Sequence, residues 1–396
     1  MEKKALANLK VLDLSHLIAG PYCTRLLAGF GANVIKIERP PDGDPARKIG
    51  PFAGDLPGLE RSLLFLYLNS SKKSITLNLK TPGGKKILKE LLKDTDVLVE
   101  SFKPGVMERL GLDYSSLKKE YPKLVVTSVS NFGQTGPYRD YKSSHLIAWG
   151  MAIGMYTPDG IGTRPLRLGG SITHYITGLF ATAGTATALF QRKQTGKGQQ
   201  VDTSMQESIM MMTTYPSTVF SFTGIEHADI GGKGLGAMPT KDGSYIGPNV
   251  WTPPQIERMF TLLGRPELAE DPRFQGNNWV PNRDIARPII AEAIKKWDSA
   301  ELFQQAVEWN IPFAMVPTTK QVMESPQHKA REFFEEVEHP VIGKAPLPGA
   351  PFKMQETPWK KQTPAPLLGQ HNEEVFCAQL GYSKEDLSRL REQGVI

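Results

Sequence analysis

Apolar residues in the first third of the chain come in short runs, each closed by a turn signal. Residues 9–14 (LKVLDL) read as a strand ending at Ser15, and residues 33–38 (NVIKIE) as a second. Between them, after Gly20-Pro21, residues 22–30 place apolar positions at helical spacing and stop at Gly31. A strand–helix–strand unit of this length predicts a parallel pair joined by a right-handed crossover. The pattern recurs. Residues 74–79 (SITLNL), 96–100 (DVLVE) and 124–128 (LVVTS) read as strands, and 81–93 as a helix with Pro82 in its first turn. This alternation predicts an α/β fold with a Rossmann-like parallel sheet in a large domain.

Beyond residue 170 the pattern changes. Residues 178–193 (GLFATAGTATALFQRK) are apolar nearly all round, which predicts a helix buried between layers or at a subunit contact. Residues 200–205 begin a further element, and Met210, Met211 and Met212 read as part of a helix packed in the core. Residues 222–247 are rich in Gly, and helical spacing returns at 254–263 and 284–297. The organisation expected is a first large-domain part over 1–220 and a smaller α+β domain over 221–325. A Pro-rich, extended crossing segment with helices near 372–396 then follows over 326–396.

Composition narrows the classes. Of 396 residues, 40% are apolar and 22% charged, which favours a packed core over disorder. The 47 Lys and Arg exceed the 41 Asp and Glu by a formal +6, spread along the chain. That spread speaks against a nucleic-acid partner, whose cations would cluster, and suits a small polyanionic ligand. Two cysteines, Cys23 and Cys377, are too few for a disulfide framework or a zinc site. No signal-like core opens the chain and no long apolar run crosses a membrane, so a cytoplasmic enzyme is expected.

Seven segments carry a resemblance: VLDLSHLIAGPYCTRLLAGFGANVIKIE at 11–38 with Arg39-Pro40 and Gly43-Asp44, NLKTPGGKK at 78–86, VESFKPGVMERLG at 99–111, TGKGQQVDTSM at 195–205, PTKDGSY at 239–245, DPRF at 271–274 and LLGQHNEEV at 367–375. Together, in this order, they resemble the family III CoA-transferases, the group of formyl-CoA transferase and carnitine CoA-transferase. The resemblance implies a large Rossmann-like CoA-binding domain, a small domain, a C-terminal stretch returning to the first, and two chains interlocked like linked rings. It implies no prosthetic group or metal, with a coenzyme A thioester as substrate. In the family reaction an Asp carboxylate attacks the thioester, passes through an anhydride and then holds CoA as an aspartyl thioester. Only a carboxylate can be both nucleophile and, once acylated, a carbonyl.

The family's Asp lies in a segment reading R-x-G-x-x-x-x-D-x-x-x-G. Here the segment is RLGGSITHYITG, residues 167–178, and His174 occupies the Asp position; His145 falls on a second acidic position. An imidazole can form an acyl-imidazole but has no carbonyl to hold CoA. His174 is therefore read as a packing residue of a silent pocket, a ligand contact, or a base in another reaction. Asp159 in a TPDG turn, Asp202 and Glu38 are weak replacements. The resemblance implies coenzyme contacts at Leu17, Ile18, Ala19, Arg39, Leu77, Lys80, Phe102, Arg109, Lys142 and Met205. The plain alternatives are core packing for the leucines, solvated lysines, and surface ion pairs for the arginines. Ser101 stands where the family often has Asn. The run at 231–234 (GGKG) is either a flexible loop or a cover over the site.

The resulting expectation is the silent subunit of a heteromeric transferase such as succinyl-CoA:benzylsuccinate CoA-transferase, partnered by a paralogue with the Asp intact and acting on an acyl-CoA and a dicarboxylic or aromatic acid. The alternatives are a homodimeric CoA-thioester racemase or isomerase, and a non-catalytic CoA-binding scaffold.

Overall fold

The computed structural model describes residues 4–152, 155, 168–212, 214–224 and 235–396; Asp159, Arg167 and the glycine run 231–234 lie outside them. The chain divides into two compact units. The first holds the described residues up to Ala152, Leu168–Met212 and Arg331–Ile396, and the second those of Thr213–Ala330.

The first unit is built on a six-stranded, all-parallel sheet in the order β3-β2-β1-β4-β5-β6. Its strands are β1 Lys10–Asp13, β2 Asn33–Glu38, β3 Lys73–Thr76, β4 Val97–Glu100, β5 Val125–Ser130 and β6 Gln200–Ser204. Both faces are covered, so the strands are nearly continuous apolar runs; every residue of β4 is buried. On one face lie α1 (Ala19–Gly29) and a long helix, Ile172–Thr195, which pack against Val11, Val34 and Val99. On the other lies Pro82–Leu92, joined by Val375, Phe376, Leu387 and Ile396 from the end of the chain.

The segment at 367–375 also closes the β3 edge. His371 N–H donates to Ser74 O at 2.9 Å, and the Asn372 side chain accepts from Thr76 N at 2.9 Å. An edge strand that would otherwise offer free backbone groups is thereby paired.

The second unit has its own core, in which Phe260, Phe274 and Trp279 pack ring against ring. Around it stand helices Pro253–Leu262, Trp279–Ile294 and Ser299–Glu308 and a three-stranded antiparallel sheet. Two of the sequence segments are accounted for by this architecture. PTKDGSY forms the hairpin turn between two of these strands, and DPRF is a short turn that sinks Phe274 into the core.

Helix Ile172–Thr195 buries one stripe within this chain (Thr173, Thr177, Gly178, Ala181, Thr185, Ala188), while Leu179 and Phe190 are more than half exposed. Two expectations need correction. Met211 and Met212, expected in the core, are 61% and 63% exposed, because the short helix Met205–Met212 turns Met205, Ser208 and Ile209 inward. The Pro-rich segment is not uniformly extended. Residues Phe334–His339 and Gly343–Pro348 form an antiparallel hairpin whose turn is held by His339 Nδ1 accepting two backbone N–H groups at 3.2 Å. Its prolines sit in a strand with one neighbour, where a missing N–H is tolerated.

Candidate active site

The strand order reverses between β1 and β4, and the crevice above their carboxyl ends is where such sheets take ligands. The loop leaving β1 is shaped by charge burial. Asp13, at the strand's end, accepts from Thr24 Oγ1 at 2.6 Å and Lys72 Nζ at 3.0 Å. Lys36, on β2, donates to Ser15 O at 2.9 Å and pairs with Asp44 at 2.7 Å. All four side chains are fully buried. Burial opposes Asp13's ionisation, but Lys72 and Lys36 outweigh it and hold the carboxyl well below the usual range. Burial likewise pulls Lys72 down to about 8 despite Asp13. Breaking one such pair strands the other charge and costs about 3–5 kcal/mol.

This network fixes residues 15–19. Asp44 also accepts from Leu17 N at 3.0 Å, and Ser101 Oγ accepts from His16 N at 2.8 Å. Leu17 is thereby held at φ 63°, a left-handed conformation that a branched side chain adopts only under constraint. Gly20 is required below it, since a Cβ there would stand 2.2 Å from Ser15 Cβ. Beyond β2, Glu38 grips Arg47 through two bonds of 2.7 and 2.9 Å, which ties down the 39–48 loop.

Two cavities open above this loop. The first, about 630 Å³, is an apolar slot with Leu77, Leu79, Phe102 and Leu110 in its wall and the cations Arg39, Lys48 and Lys80. The second, about 470 Å³, is more polar and is lined by Leu17, Ile18, Ala19, Arg109, His174 and Met205, among others. His16 and Phe102 belong to both walls, with ring centroids 5.4 Å apart.

His174 reaches the polar cavity from the first turn of Ile172–Thr195, a placement set by close packing onto α1. At Gly178, one turn on, a Cβ would stand 2.5 Å from Ala19 O. His174 Nδ1 is 3.3 Å from Thr173 Oγ1, which is 2.8 Å from His145 Nδ1; His145 Nε2 is 2.8 Å from Leu168 O. A carbonyl only accepts, so His145 carries its proton on Nε2 and, when neutral, accepts from the Thr173 hydroxyl. Thr173 then has only its lone pairs left for His174, whose Nδ1 donates and whose Nε2 keeps its lone pair. Burial, with a smaller push from His145, lowers His174 to about 4, so the ring is neutral at pH 7.

At the end of β4, Glu100 is 3% exposed. It accepts from Phe102 N at 2.8 Å. Burial first, and then the charges of Glu108 and Asp202, raise it to about 7 against the bonds from Ser128 and Phe102. Asp202 itself accepts from Gln134 N at 2.9 Å.

Of the residues singled out in the sequence, Arg39, Leu77, Lys80 and Phe102 meet in the slot, and Leu17, Ile18, Ala19, Phe102, Arg109, His174 and Met205 in the polar cavity. Lys142 is exposed and lines neither, and His145 acts behind Thr173. Sequence reasoning missed His16, although it sits within the quoted 11–38 segment. It also missed the Asp13–Lys72 and Lys36–Asp44 pairs, whose partners lie too far apart in sequence to be matched by spacing. Among the described residues no cluster of three or more His, Cys, Asp or Glu could hold a metal, and no helix is long and apolar enough to cross a membrane.

Comparison with known proteins gives a consistent result. The model of CoA-transferase family III matches residues 6–372. A formyl-CoA:oxalate CoA-transferase of Streptomyces coelicolor is 35% identical, with both chains covered completely. A succinyl-CoA–D-citramalate CoA-transferase of Chloroflexus aurantiacus is 34% identical over 99% of this chain and 98% of its own. Among solved structures, a CaiB/BaiF family protein from Brucella suis superposes with a TM-score of 0.83 at 28% identity, over 95% of this chain and all of its own.

Proposed function

The chain belongs to CoA-transferase family III, and from that premise we propose that it is one subunit of a heteromeric, cytoplasmic CoA-transferase whose partner is a paralogue carrying the nucleophilic Asp. The donor is an acyl-CoA such as succinyl-CoA, and the acceptor a dicarboxylic or aromatic acid such as benzylsuccinate. The names of the relatives, which pair formyl-CoA with oxalate and succinyl-CoA with D-citramalate, support a small acid as acceptor.

This chain's part is to bind the thioester. The adenine enters the slot against Leu77 and Phe102, with Arg39 and Lys80 toward the phosphates. The pantetheine arm passes Leu17, Ile18, Ala19 and Met205, with Arg109 beside it. Lys142 contributes only from the surface. The interlocked-ring arrangement of the family is proposed for the pair.

The observation that carries the reading is His174. A neutral imidazole stands in the polar cavity, and the motif reading of residues 167–178 gives this position to the family's Asp. The imidazole offers no carbonyl on which CoA could rest, so the aspartyl-thioester half-reaction has no site here. The test is a transferase assay of the chain alone and with the paralogue. No turnover alone, and turnover with the partner, is expected. In the same assay His174→Asp supplies a carboxylate, and a CoA adduct on that variant is expected by mass spectrometry. Turnover by the unmodified chain alone, with an acyl or CoA adduct on it, overturns the reading.

The His174–Thr173–His145 line favours one second reading. A free Nε2 on a neutral ring can take the α-proton of a bound thioester, as in a racemase or isomerase. Exchange of that proton with deuterated solvent, lost in His174→Gln, is the result expected of it. If CoA binds but the chain neither exchanges protons nor raises the partner's turnover, it is a scaffold.

A further inference from the structure

The chain leaving β4 forms the seam between the two cavities. Ser101, Phe102, Lys103 and Pro104 line the polar cavity, and Phe102 and Val106 the slot. One side chain beneath this seam fastens it. Glu100 ends β4, and its Oε2 accepts from Phe102 N at 2.8 Å. Ser128, on β5, donates to the same carboxyl and itself accepts from Gln200 Nε2 at 3.1 Å. A chain of bonds thus runs from Gln200 on β6, through Ser128 and Glu100, to the residue that partitions the cavities.

The strength of the bond to Phe102 depends on the charge of Glu100. An ionised carboxylate makes a charge-assisted bond, roughly twice as strong as one to a neutral carboxyl. Two carboxylates act on it, Glu108 from the helix Val106–Leu110 and Asp202 from β6. On its other side β1 ends in Asp13, which is paired with Lys72. Lys103 and Arg109, from the seam and its helix, line the polar cavity. Burial and the like charges bring the Glu100 carboxyl to about 7, so both of its forms are populated near neutrality.

We infer that Glu100 is a positioning residue for the coenzyme: its ionised carboxyl fastens Phe102 in the partition, and protonation loosens the wall that the two cavities share. The inference rests on the reading that a CoA thioester occupies the two cavities, and adds to it a residue that lines neither.

The affinity of the full-length chain for acetyl-CoA is measured by calorimetry from pH 6 to pH 8, for wild type and Glu100→Gln. Glutamine keeps a neutral acceptor for Phe102 N but cannot ionise. The coenzyme's own phosphate titrates alike against both proteins, so the difference between them isolates Glu100. Relative to the variant, wild type is expected to gain about fivefold in affinity from pH 6 to pH 8, as a neutral bond becomes charge-assisted. At pH 8 the variant should be the weaker binder although, freed of a buried charge, it is the more stable protein. A merely structural role does not produce that combination. The Phe102 amide proton, followed by NMR, should move downfield in wild type as pH rises through about 7, and hold its position in the variant. Equal pH dependence of binding in the two proteins overturns the inference. So does wild-type affinity that falls relative to the variant as pH rises, which makes Glu100 a repelling charge and not a clasp. Failure of wild type to bind acetyl-CoA at any pH overturns the underlying coenzyme reading as well, a result distinct from a lost pH dependence.

Discussion

At the scale of single residues, Glu100 gives the sharpest pH prediction. Its carboxyl is raised to about 7 in the folded chain, against about 4.3 when unfolded. Between those values the folded state binds more protons than the unfolded one, so the group's contribution to stability falls as pH rises. Below pH 4 the protonated Glu100 costs nothing; above pH 7 the buried charge costs on the order of 3 kcal/mol. Glu100→Gln should therefore match wild type at pH 4 and exceed it by up to this amount at pH 8, read from urea unfolding at each pH. A gap that is constant with pH, or that closes as pH rises, removes the assignment. Asp13 works in the opposite sense: its depressed carboxyl stabilises the fold above pH 4, and that support is lost as pH falls.

At the scale of elements, the packing of α1 on Ile172–Thr195 decides where His174 stands. Gly178→Ala would drive a methyl group into Ala19 O, so the two helices must separate. A cost of about 1–3 kcal/mol is expected, as for overpacking, together with weaker CoA binding if the coenzyme uses the polar cavity that Ala19 lines. Unchanged unfolding and unchanged affinity would show that this contact does not position the loop. These elements were legible to different degrees. LKVLDL and NVIKIE are short apolar runs between turn residues, and strands formed almost where the pattern put them. The hairpin at 334–348 was not legible, because Pro346 and Pro348 argue against a strand unless its single-neighbour position is known. Met211 and Met212 look like core in a string of apolar letters; only the turn of a short helix shows which methionines face inward. Several cavity residues, though not His16, were found through motif matches, whereas the ion pairs beneath them depend on meetings between β1, β2 and residues 44 and 72 that no local pattern encodes.

At the scale of the whole molecule, the two compact units have separate cores, and the described residues that line both cavities belong to the first. Saturating CoA should slow amide hydrogen exchange in residues 14–19 and 100–106 while leaving Trp279–Ile294 at its unliganded rate. Equal protection of that helix, or none in the two loops, would contradict a site confined to the first unit. The slot and the polar cavity meet at His16 and Phe102, a partition one residue layer thick. For a chemist building an inhibitor, this partition is a ready point of attachment. One fragment fitted to the apolar slot and one to the polar cavity, each weak alone, would sit as neighbours. A short bridge past the Phe102 ring turns the second capture into an intramolecular event, with an effective concentration in the millimolar range for a short flexible linker.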